Sequence, residues 1–240
     1  MAKNIRYLFV SDSRGFSFDK YRKPADTNID VDFIILRGAT ISDLLTAILT
    51  RLRRYSADDY IIIKLAAGIN DLLTFVYDSE AGGRVLKRSA AGSEQVLAEI
   101  RRFKQRVLAF RPFALVSFVT IPTASFRKFQ ASKKLRKPIL DEADLLRYQL
   151  DLDTELDEIN KCLRDINAET QHGISPKHLI WHTAVRKPVK RKPGHVHQRV
   201  KSNNFSALYD GLHAKATVKR KWFVSVIKAL QTEGELLRDL

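Results

Sequence analysis

Short apolar runs alternate along the chain with longer amphipathic segments. The runs that predict β-strands lie at 5–10, 31–36, 60–66, 114–120 and 178–182. They are mostly apolar and are followed by turn or capping residues, which is typical of strands that are buried on both faces of a sheet. The pattern therefore indicates an ordered protein that is built around a buried sheet.

Amphipathic segments with a helical period follow four of these strands. In the first of them Ile41, Leu44 and Ile48 fall on one face, because residues three and four positions apart are neighbours on a helix. Helices are predicted at 41–54, 93–110, 141–169 (one or two helices) and about 215–233.

The alternation of strand and helix predicts an α/β fold with a five-stranded parallel sheet and helices on both of its faces. No composition shift divides the chain, so we expect one domain over residues 1–240. A basic segment at about 183–204 has two prolines and few apolar residues, and it is expected to be an inserted loop. In such sheets, function resides at the carboxyl ends of the strands.

Side chains with catalytic potential follow the predicted strand ends. Ser13 lies in SDSRG, Gly38 in RGATISDL and Asn70 in AAGINDL, while Asp210 and His213 lie in LYDGLHA before the last helix. The stretch around Ser13 alone does not distinguish a nucleophile from a polar loop, because Ser, Asp and Gly are common in turns. The four clusters together favour a nucleophile, since all of them are expected at the same edge of the sheet.

This set contains the groups that acyl transfer to a serine requires. His213 is a candidate base for the Ser13 hydroxyl, and Asp210 is a candidate to orient and stabilise that histidine. The backbone N–H groups of Ser13 and Gly38 and the side-chain amide of Asn70 are candidate donors to the developing oxyanion.

The four blocks resemble those of the SGNH, or GDSL-type, hydrolase superfamily, and they span residues 9–213 in the family's order. The resemblance implies a flavodoxin-like three-layer α/β/α sandwich and a serine esterase that cleaves acetyl or short acyl esters. It implies Ser13 as nucleophile, His213 as base and Asp210 as its orienting partner. It further implies Ser13, Gly38 and Asn70 as oxyanion donors, and no metal or other cofactor.

Two residues depart from the family pattern. Ser11 stands where the family most often has glycine. Serine fits this position only if its φ is negative, because positive φ favours glycine. Arg14 follows the nucleophile where an apolar residue is common, and it suits either an anionic substrate or a surface salt bridge. Of the nearby acids, Asp12 is expected to be a turn residue or a residue that supports the catalytic groups, and not a member of the triad. Asp71 is expected to cap the helix after it.

Positive charge is concentrated in two segments that are predicted to be loops. The chain has 42 Lys and Arg against 27 Asp and Glu, a net charge of +15, and residues 127–137 and 186–201 contain no acid. These segments are either a solvated surface or a binding site for RNA, DNA or an anionic membrane. The candidate polyanion-binding residues are Arg127, Lys128, Lys133, Lys134, Lys190, Arg191 and Lys192.

Two classes of function therefore stay open. One is an esterase whose partner is an ester-bearing small molecule, a lipid or an acetylated substrate. The other is a nucleic-acid- or membrane-associated module with weak or no hydrolysis, similar to the esterase domains in the first protein of some LINE-type retrotransposons. The oligomeric state is not indicated by the sequence.

Cysteine content and hydropathy bear on the compartment. The single cysteine, Cys162, excludes an internal disulfide and cysteine-based zinc sites. No stretch approaches the roughly 20 apolar residues of a membrane-spanning helix. The first ten residues have no apolar signal core, so an intracellular protein, cytoplasmic or nuclear, is expected.

Overall fold

The computed structural model describes residues 4–16, 18–21, 28–133, 135, 140–181, 185–186 and 203–239. Its strands are β1 (Ile5–Ser11), β2 (Val31–Ile35), β3 (Tyr60–Ala66), β4 (Leu73–Asp78), β5 (Gly83–Arg88), β6 (Ala114–Phe118), β7 (Val185–Arg186) and β8 (Asn203–Asn204). Its α-helices are α1 (Ile41–Leu52), α2 (Ile69–Leu72), α3 (Ser93–Phe110), α4 (Phe126–Ser132), α5 (Glu142–Ala168) and α6 (Ala216–Arg238).

The central sheet is parallel, with strand order β2-β1-β3-β6. Successive side chains of β1 point to opposite faces: Leu8 and Val10 pack in one core cluster, Tyr7 and Phe9 in the other. The apolar faces of α1, α3 and α5 cover the first cluster, and α6 covers the second. The predicted α/β sandwich with helices on both sides of a parallel sheet is therefore confirmed.

Over the residues that the structure describes, the central sheet has four strands, whereas the sequence predicted five. In the described part of the predicted fifth strand, residues 178–181, Leu179 makes an isolated parallel bridge with Val119. Two residues beyond Leu179, the Trp181 N–H donates to the hydroxyl of Thr120 at 2.7 Å instead of to a strand carbonyl.

Side-chain amides occupy the free edge of β6, where the described residues form no fifth strand. Asn167 accepts from the Phe118 N–H at 2.9 Å and donates to the Phe118 carbonyl at 2.7 Å. Gln171 makes the same pair of bonds with Val116, at 2.9 Å each. Because these amides satisfy the outward-facing groups of β6, the edge needs no further strand.

The helices follow the periodic segments closely. The helix predicted at 93–110 has those bounds, the segment 141–169 forms the single helix α5, and α6 continues to Arg238. The helix predicted at 41–54 ends at Leu52. It begins with a reciprocal capping box, in which Thr40 and Asp43 each accept a hydrogen bond from the other's backbone N–H.

Two features of the fold were not predicted from the sequence. Strands β4 and β5 form an antiparallel hairpin directly after α2. The first part of the basic segment 127–137 was expected to be a loop, but it forms α4, which Ser125 caps by accepting from the Lys128 N–H. The basic insertion at about 183–204 lies largely outside the described residues, and β7 and β8 pair near its two ends.

The helices also bear on membrane insertion. Over the ranges that the structure describes, none of them has the length and apolar character needed to cross a bilayer.

Candidate active site

Three candidate residues follow strand ends that lie at the same level of the sheet. In the strand register, Ser11 at the end of β1 is aligned with Ile35 at the end of β2 and with Ala66 at the end of β3. The segments that carry Ser13, Gly38 and Asn70 therefore leave the sheet at one edge, as the sequence predicted.

Ser13 begins a single 3₁₀ turn, Ser13–Gly15. The Asp12 carboxylate accepts a hydrogen bond from the Arg14 N–H at 2.8 Å, and the Gly15 N–H donates to the Asp12 carbonyl at 3.2 Å. Asp12 is thus the turn residue that the sequence predicted. It is buried, and burial raises the pKa of its carboxyl, partly offset by neighbouring Arg14.

Ser11 fits the position where glycine is more common in the family. It belongs to β1, does not have a positive φ, and donates its hydroxyl proton to the Ala66 carbonyl at 2.8 Å. A Cβ on Gly15 would lie only 2.8 Å from the Cβ and Oγ of Ser11. The absence of a side chain at Gly15 therefore leaves room for the one at Ser11.

The loop before α6 holds Asp210 and His213 in a compact turn. The Asp210 Oδ1 accepts from the N–H groups of Leu212 and His213 at 3.0 and 2.7 Å, and the Tyr209 N–H donates to the His213 carbonyl at 2.7 Å. Gly211 has φ +87°, and a Cβ there would lie 2.4 Å from the backbone nitrogen of Phe129. Glycine is thus required here both by the backbone conformation and by close packing on α4.

The structure joins the predicted nucleophile, base and acid in one chain of hydrogen bonds. His213 Nε2 lies 3.1 Å from Ser13 Oγ, although the two residues are 200 positions apart. His213 Nδ1 lies 2.9 Å from Asp210 Oδ2. In this arrangement Nδ1–H donates to the carboxylate, and Nε2 can accept the proton of the serine hydroxyl.

Asp210 is arranged to remain a carboxylate. Burial alone would raise its pKa, but the hydrogen bonds that the His213 ring and backbone donate to it hold the pKa well below its usual range. Its side chain is 13% exposed and that of His213 is 31% exposed. The pair is thus shielded on the acid side and open to solvent on the side of the histidine.

A hydrogen bond joins the two segments that carry Asn70 and Gly38. The Asn70 side-chain amide donates to the Ala39 carbonyl at 2.9 Å, and an amide nitrogen has a second N–H for another acceptor. Gly38, next to Ala39, has φ +71°, and a Cβ there would meet nothing within 4 Å. The space above Gly38 is therefore open to a substrate atom.

Asp71 does not cap the helix that follows it, so that expectation was wrong. It lies inside the four-residue helix α2, and its carboxylate accepts from the Ile41 N–H at 3.2 and 3.3 Å, at the start of α1. Burial raises the pKa of this carboxyl to about 6, partly offset by the Ile41 hydrogen bond. Asp71 is thus a second link between the segment that carries Asn70 and the segment that carries Gly38.

Arg14 is not in a surface salt bridge, which was one of the two alternatives for it. This residue is only 2% exposed, and burial lowers the pKa of its guanidinium to about 10, partly offset by the charge of Asp12. The guanidinium therefore remains a buried cation at neutral pH, carried by the middle residue of the Ser13–Gly15 turn.

Two residues that were assigned to polyanion binding have other contacts. Lys128 donates its ammonium protons to the carbonyls of Leu208 at 2.6 Å and Phe205 at 3.2 Å, in the segment that leads to Asp210. Arg127 forms an ion pair with Glu142. Lys133 is exposed beside the ring of Phe129, whereas Lys134, Lys190, Arg191 and Lys192 lie outside the described residues.

Two cations beside Ser13 were not predicted from the sequence. The guanidinium of Arg37 stacks over the ring of Phe16, 3.7 Å from its centre, and Lys219 donates to the Phe16 carbonyl at 3.3 Å. In the sequence, the position of Arg37 next to Gly38 could have indicated its place near the site. No sequence pattern could have indicated Lys219, because only the packing of α6 brings it to this loop.

Two cavities lie away from the triad. One, of about 220 Å³, is bordered by Leu86, Phe129 and Leu140, and the other, of about 670 Å³, lies at the amino ends of β1 and β2. Neither is lined by Ser13 or His213. We place the candidate site by hydrogen-bond geometry, because catalysis depends on the mutual placement of nucleophile and base more than on cavity size.

The comparisons with known proteins identify the fold. No protein-family model matches the sequence, and no curated protein matches it significantly. Among solved structures, a GDSL-like lipase from Bacteroides thetaiotaomicron matches over 95% of this chain and 88% of its own, with a TM-score of 0.54 and 13% identity. A member of the lipolytic G-D-S-L family from Veillonella parvula matches over 95% and 97%, with a TM-score of 0.52 and 12% identity.

The chain therefore has the fold of the GDSL-type hydrolases. This agrees with the resemblance that the four sequence blocks carry, and it places the carboxyl edge of the sheet as the site to consider for function. At 12–13% identity the likeness concerns the fold.

Proposed function

We propose that this protein is a serine ester hydrolase that cleaves carboxylic esters with acetyl or short acyl groups. The observation that carries the proposal is the continuous hydrogen-bond chain from Ser13 Oγ through His213 to Asp210. A nucleophile, a base within reach of it and a carboxylate that orients the base are what acyl transfer to serine needs.

In the proposed reaction, Ser13 Oγ attacks the ester carbonyl carbon while its proton passes to His213 Nε2. Asp210 stabilises the imidazolium that forms. The carbonyl oxygen becomes an oxyanion, for which the N–H groups of Ser13 and Gly38 and the Asn70 amide are the donors. His213 then protonates the leaving alkoxide, the alcohol departs, and Ser13 is left acylated.

The second half of the reaction releases the acid. A water molecule gives a proton to His213 and attacks the acyl carbon, and a second tetrahedral oxyanion forms. Its collapse breaks the bond to Ser13 Oγ, which recovers its proton from His213. The products are the alcohol and the carboxylic acid, and the enzyme returns to its starting state.

An organophosphorus probe tests the proposal without knowledge of the natural substrate. Diisopropyl fluorophosphate is expected to modify Ser13 in a one-to-one ratio, because the neighbouring His213 activates this hydroxyl and no other described serine has a histidine–aspartate pair against it. Peptide mass mapping would locate the adduct, and loss of p-nitrophenyl acetate hydrolysis should parallel its formation.

The labelling has an internal control two residues away. Ser11 is fully buried and bonded to Ala66, so it should stay unmodified, and Ser13→Ala should take up no label. Modification of another serine at the same rate, or none at all, would contradict the proposed triad.

A second candidate function is binding to a nucleic acid or an anionic membrane surface. The net charge of +15 favours it, and so does the β4–β5 hairpin, which exposes Phe75 and Tyr77 on the face that also carries Arg84. Cations provide attraction to phosphates, and aromatic rings provide surfaces on which bases stack.

Salt-dependent binding of single-stranded RNA checks this second function. If it is correct, the full chain binds an oligonucleotide with an affinity that falls as salt rises. Lys190→Gln, Arg191→Gln and Lys192→Gln together should then reduce the salt slope by roughly one unit for each phosphate that these side chains neutralise. Ser13→Ala should bind unchanged. Absence of salt-sensitive binding would contradict a nucleic-acid-binding function.

A further inference from the structure

Two cations converge on the turn that carries the nucleophile. The Phe16 N–H donates to the Ser13 carbonyl at 3.2 Å, so Phe16 belongs to the same tight turn. The guanidinium of Arg37 lies over the Phe16 ring, and the ammonium of Lys219 donates to the Phe16 carbonyl. Arg37 also adjoins Gly38, the second candidate oxyanion donor.

The stacking fixes the Arg37 guanidinium in place. A planar guanidinium over an aromatic face is held by cation–π attraction while its N–H donors point outward in the plane. Phe16 is 40% exposed, so this stack lies at the surface of the site and not inside the core. A side chain held in this way loses little further freedom when it binds a ligand.

Neither Arg37 nor Lys219 forms an ion pair with a carboxylate within the residues that the structure describes. Burial lowers the pKa of Lys219; the charge of Asp210 raises this pKa and the charge of Arg37 lowers it. An anion placed between the two cations would relieve their mutual repulsion.

We propose that the ester substrate carries an anionic group, a carboxylate or a phosphate, which Arg37 and Lys219 bind beside the scissile bond. This inference rests on the proposed esterase function and specifies its substrate class. Arg37 and Lys219 are then residues that determine specificity, while Ser13, Asp210 and His213 perform the chemistry.

Matched pairs of esters test this proposal. Mono-p-nitrophenyl glutarate and p-nitrophenyl pentanoate have acyl chains of equal length, with and without a carboxylate. Para-carboxyphenyl acetate and phenyl acetate place the charge on the alcohol side instead. The wild-type protein is expected to favour the anionic member of at least one pair by about tenfold or more in kcat/KM, as charge-assisted hydrogen bonds are among the stronger ones.

Variants then assign the preference to the two cations. Arg37→Gln and Lys219→Gln should each lower the ratio of kcat/KM for anionic over neutral ester by about tenfold. Lys219→Arg retains the charge and should keep most of the preference. Lys228→Gln removes an exposed charge further along α6 and should leave the ratio unchanged. In the wild-type protein, the ratio should also fall as salt screens the interaction.

The outcomes separate this inference from the function on which it rests. Equal ratios in the wild-type protein and in both glutamine variants, with hydrolysis still dependent on Ser13, would overturn the anionic substrate and leave the esterase standing. Absence of any hydrolysis dependent on Ser13 would remove both. If the variants weaken RNA binding and leave the ester ratio unchanged, the cations serve a polyanion and the inference is wrong.

Discussion

Alanine in place of Ser13 or His213 is expected to lower kcat for p-nitrophenyl acetate by about 10⁶-fold. The reason lies in the observed chain of contacts: without the serine there is no nucleophile, and without His213 Nε2 at 3.1 Å the serine keeps its proton. Because the two residues act as one unit, the double variant should be no slower than either single variant. Steady-state kinetics on all three proteins checks this result.

Asp210→Asn is expected to have a smaller effect, about 10⁴-fold in kcat. Asparagine keeps the size of the side chain but removes the negative charge that stabilises the imidazolium. It also favours the wrong histidine tautomer, because an amide N–H at the 2.9 Å contact can donate to Nδ1 and leave the ring proton on Nε2. A working triad is therefore expected to give a graded series of kcat values, in which the Ser13→Ala and His213→Ala variants are far slower than Asp210→Asn.

The control for this series is Ser42→Ala. Ser42 is exposed in the first turn of α1 and has no role in the site, so its loss should leave kcat unchanged. Hydrolysis that survives in Ser13→Ala at the wild-type rate would show that the triad is idle, whatever its geometry.

The parts of the fold that could be predicted were those with a repetitive signal. Buried strands such as β1 and β3 are continuous apolar runs, and α3 and α5 repeat their apolar positions with a helical period. The strand ends then locate Ser13, Gly38 and Asn70, because in a parallel sheet the carboxyl ends lie together. No described strand of the central sheet ends directly before Asp210 and His213. His213 could be paired with Ser13 across 200 residues because the LYDGLHA block resembles the last block of the GDSL-type hydrolases.

What could not be predicted depends on long-range packing of single side chains. The apolar residues of 178–182 predict a strand. The side-chain amides of Asn167 and Gln171, however, form the hydrogen bonds at the edge of β6. Lys128 lies in a basic segment, yet two distant carbonyls hold its ammonium. Neither a strand that is displaced by amides nor a lysine that bonds carbonyls leaves a local pattern in the sequence.

Stability should depend strongly on one buried charge pair, and Glu233→Ala is expected to cost about 3–5 kcal/mol of unfolding free energy. The Lys64 ammonium lies 2.7 Å from Glu233 Oε1, and each side chain is 1% exposed. The lysine also donates to Ser117 at 2.7 Å and to the Lys177 carbonyl at 3.2 Å. Removal of the glutamate leaves a cation in the core between β3 and α6 with no counter-charge.

Urea unfolding of the single and double variants separates this cost from the value of the pair itself. Taking two charges out of water is itself unfavourable, so Lys64→Met combined with Glu233→Leu should be far more stable than Glu233→Ala, and close to the wild-type protein. Glu235→Ala, an exposed acid two residues along α6, should change the unfolding free energy by no more than about 0.5 kcal/mol. A loss in Glu233→Ala as small as that of Glu235→Ala would mean that water reaches Lys64, and that the core between β3 and α6 is open to solvent.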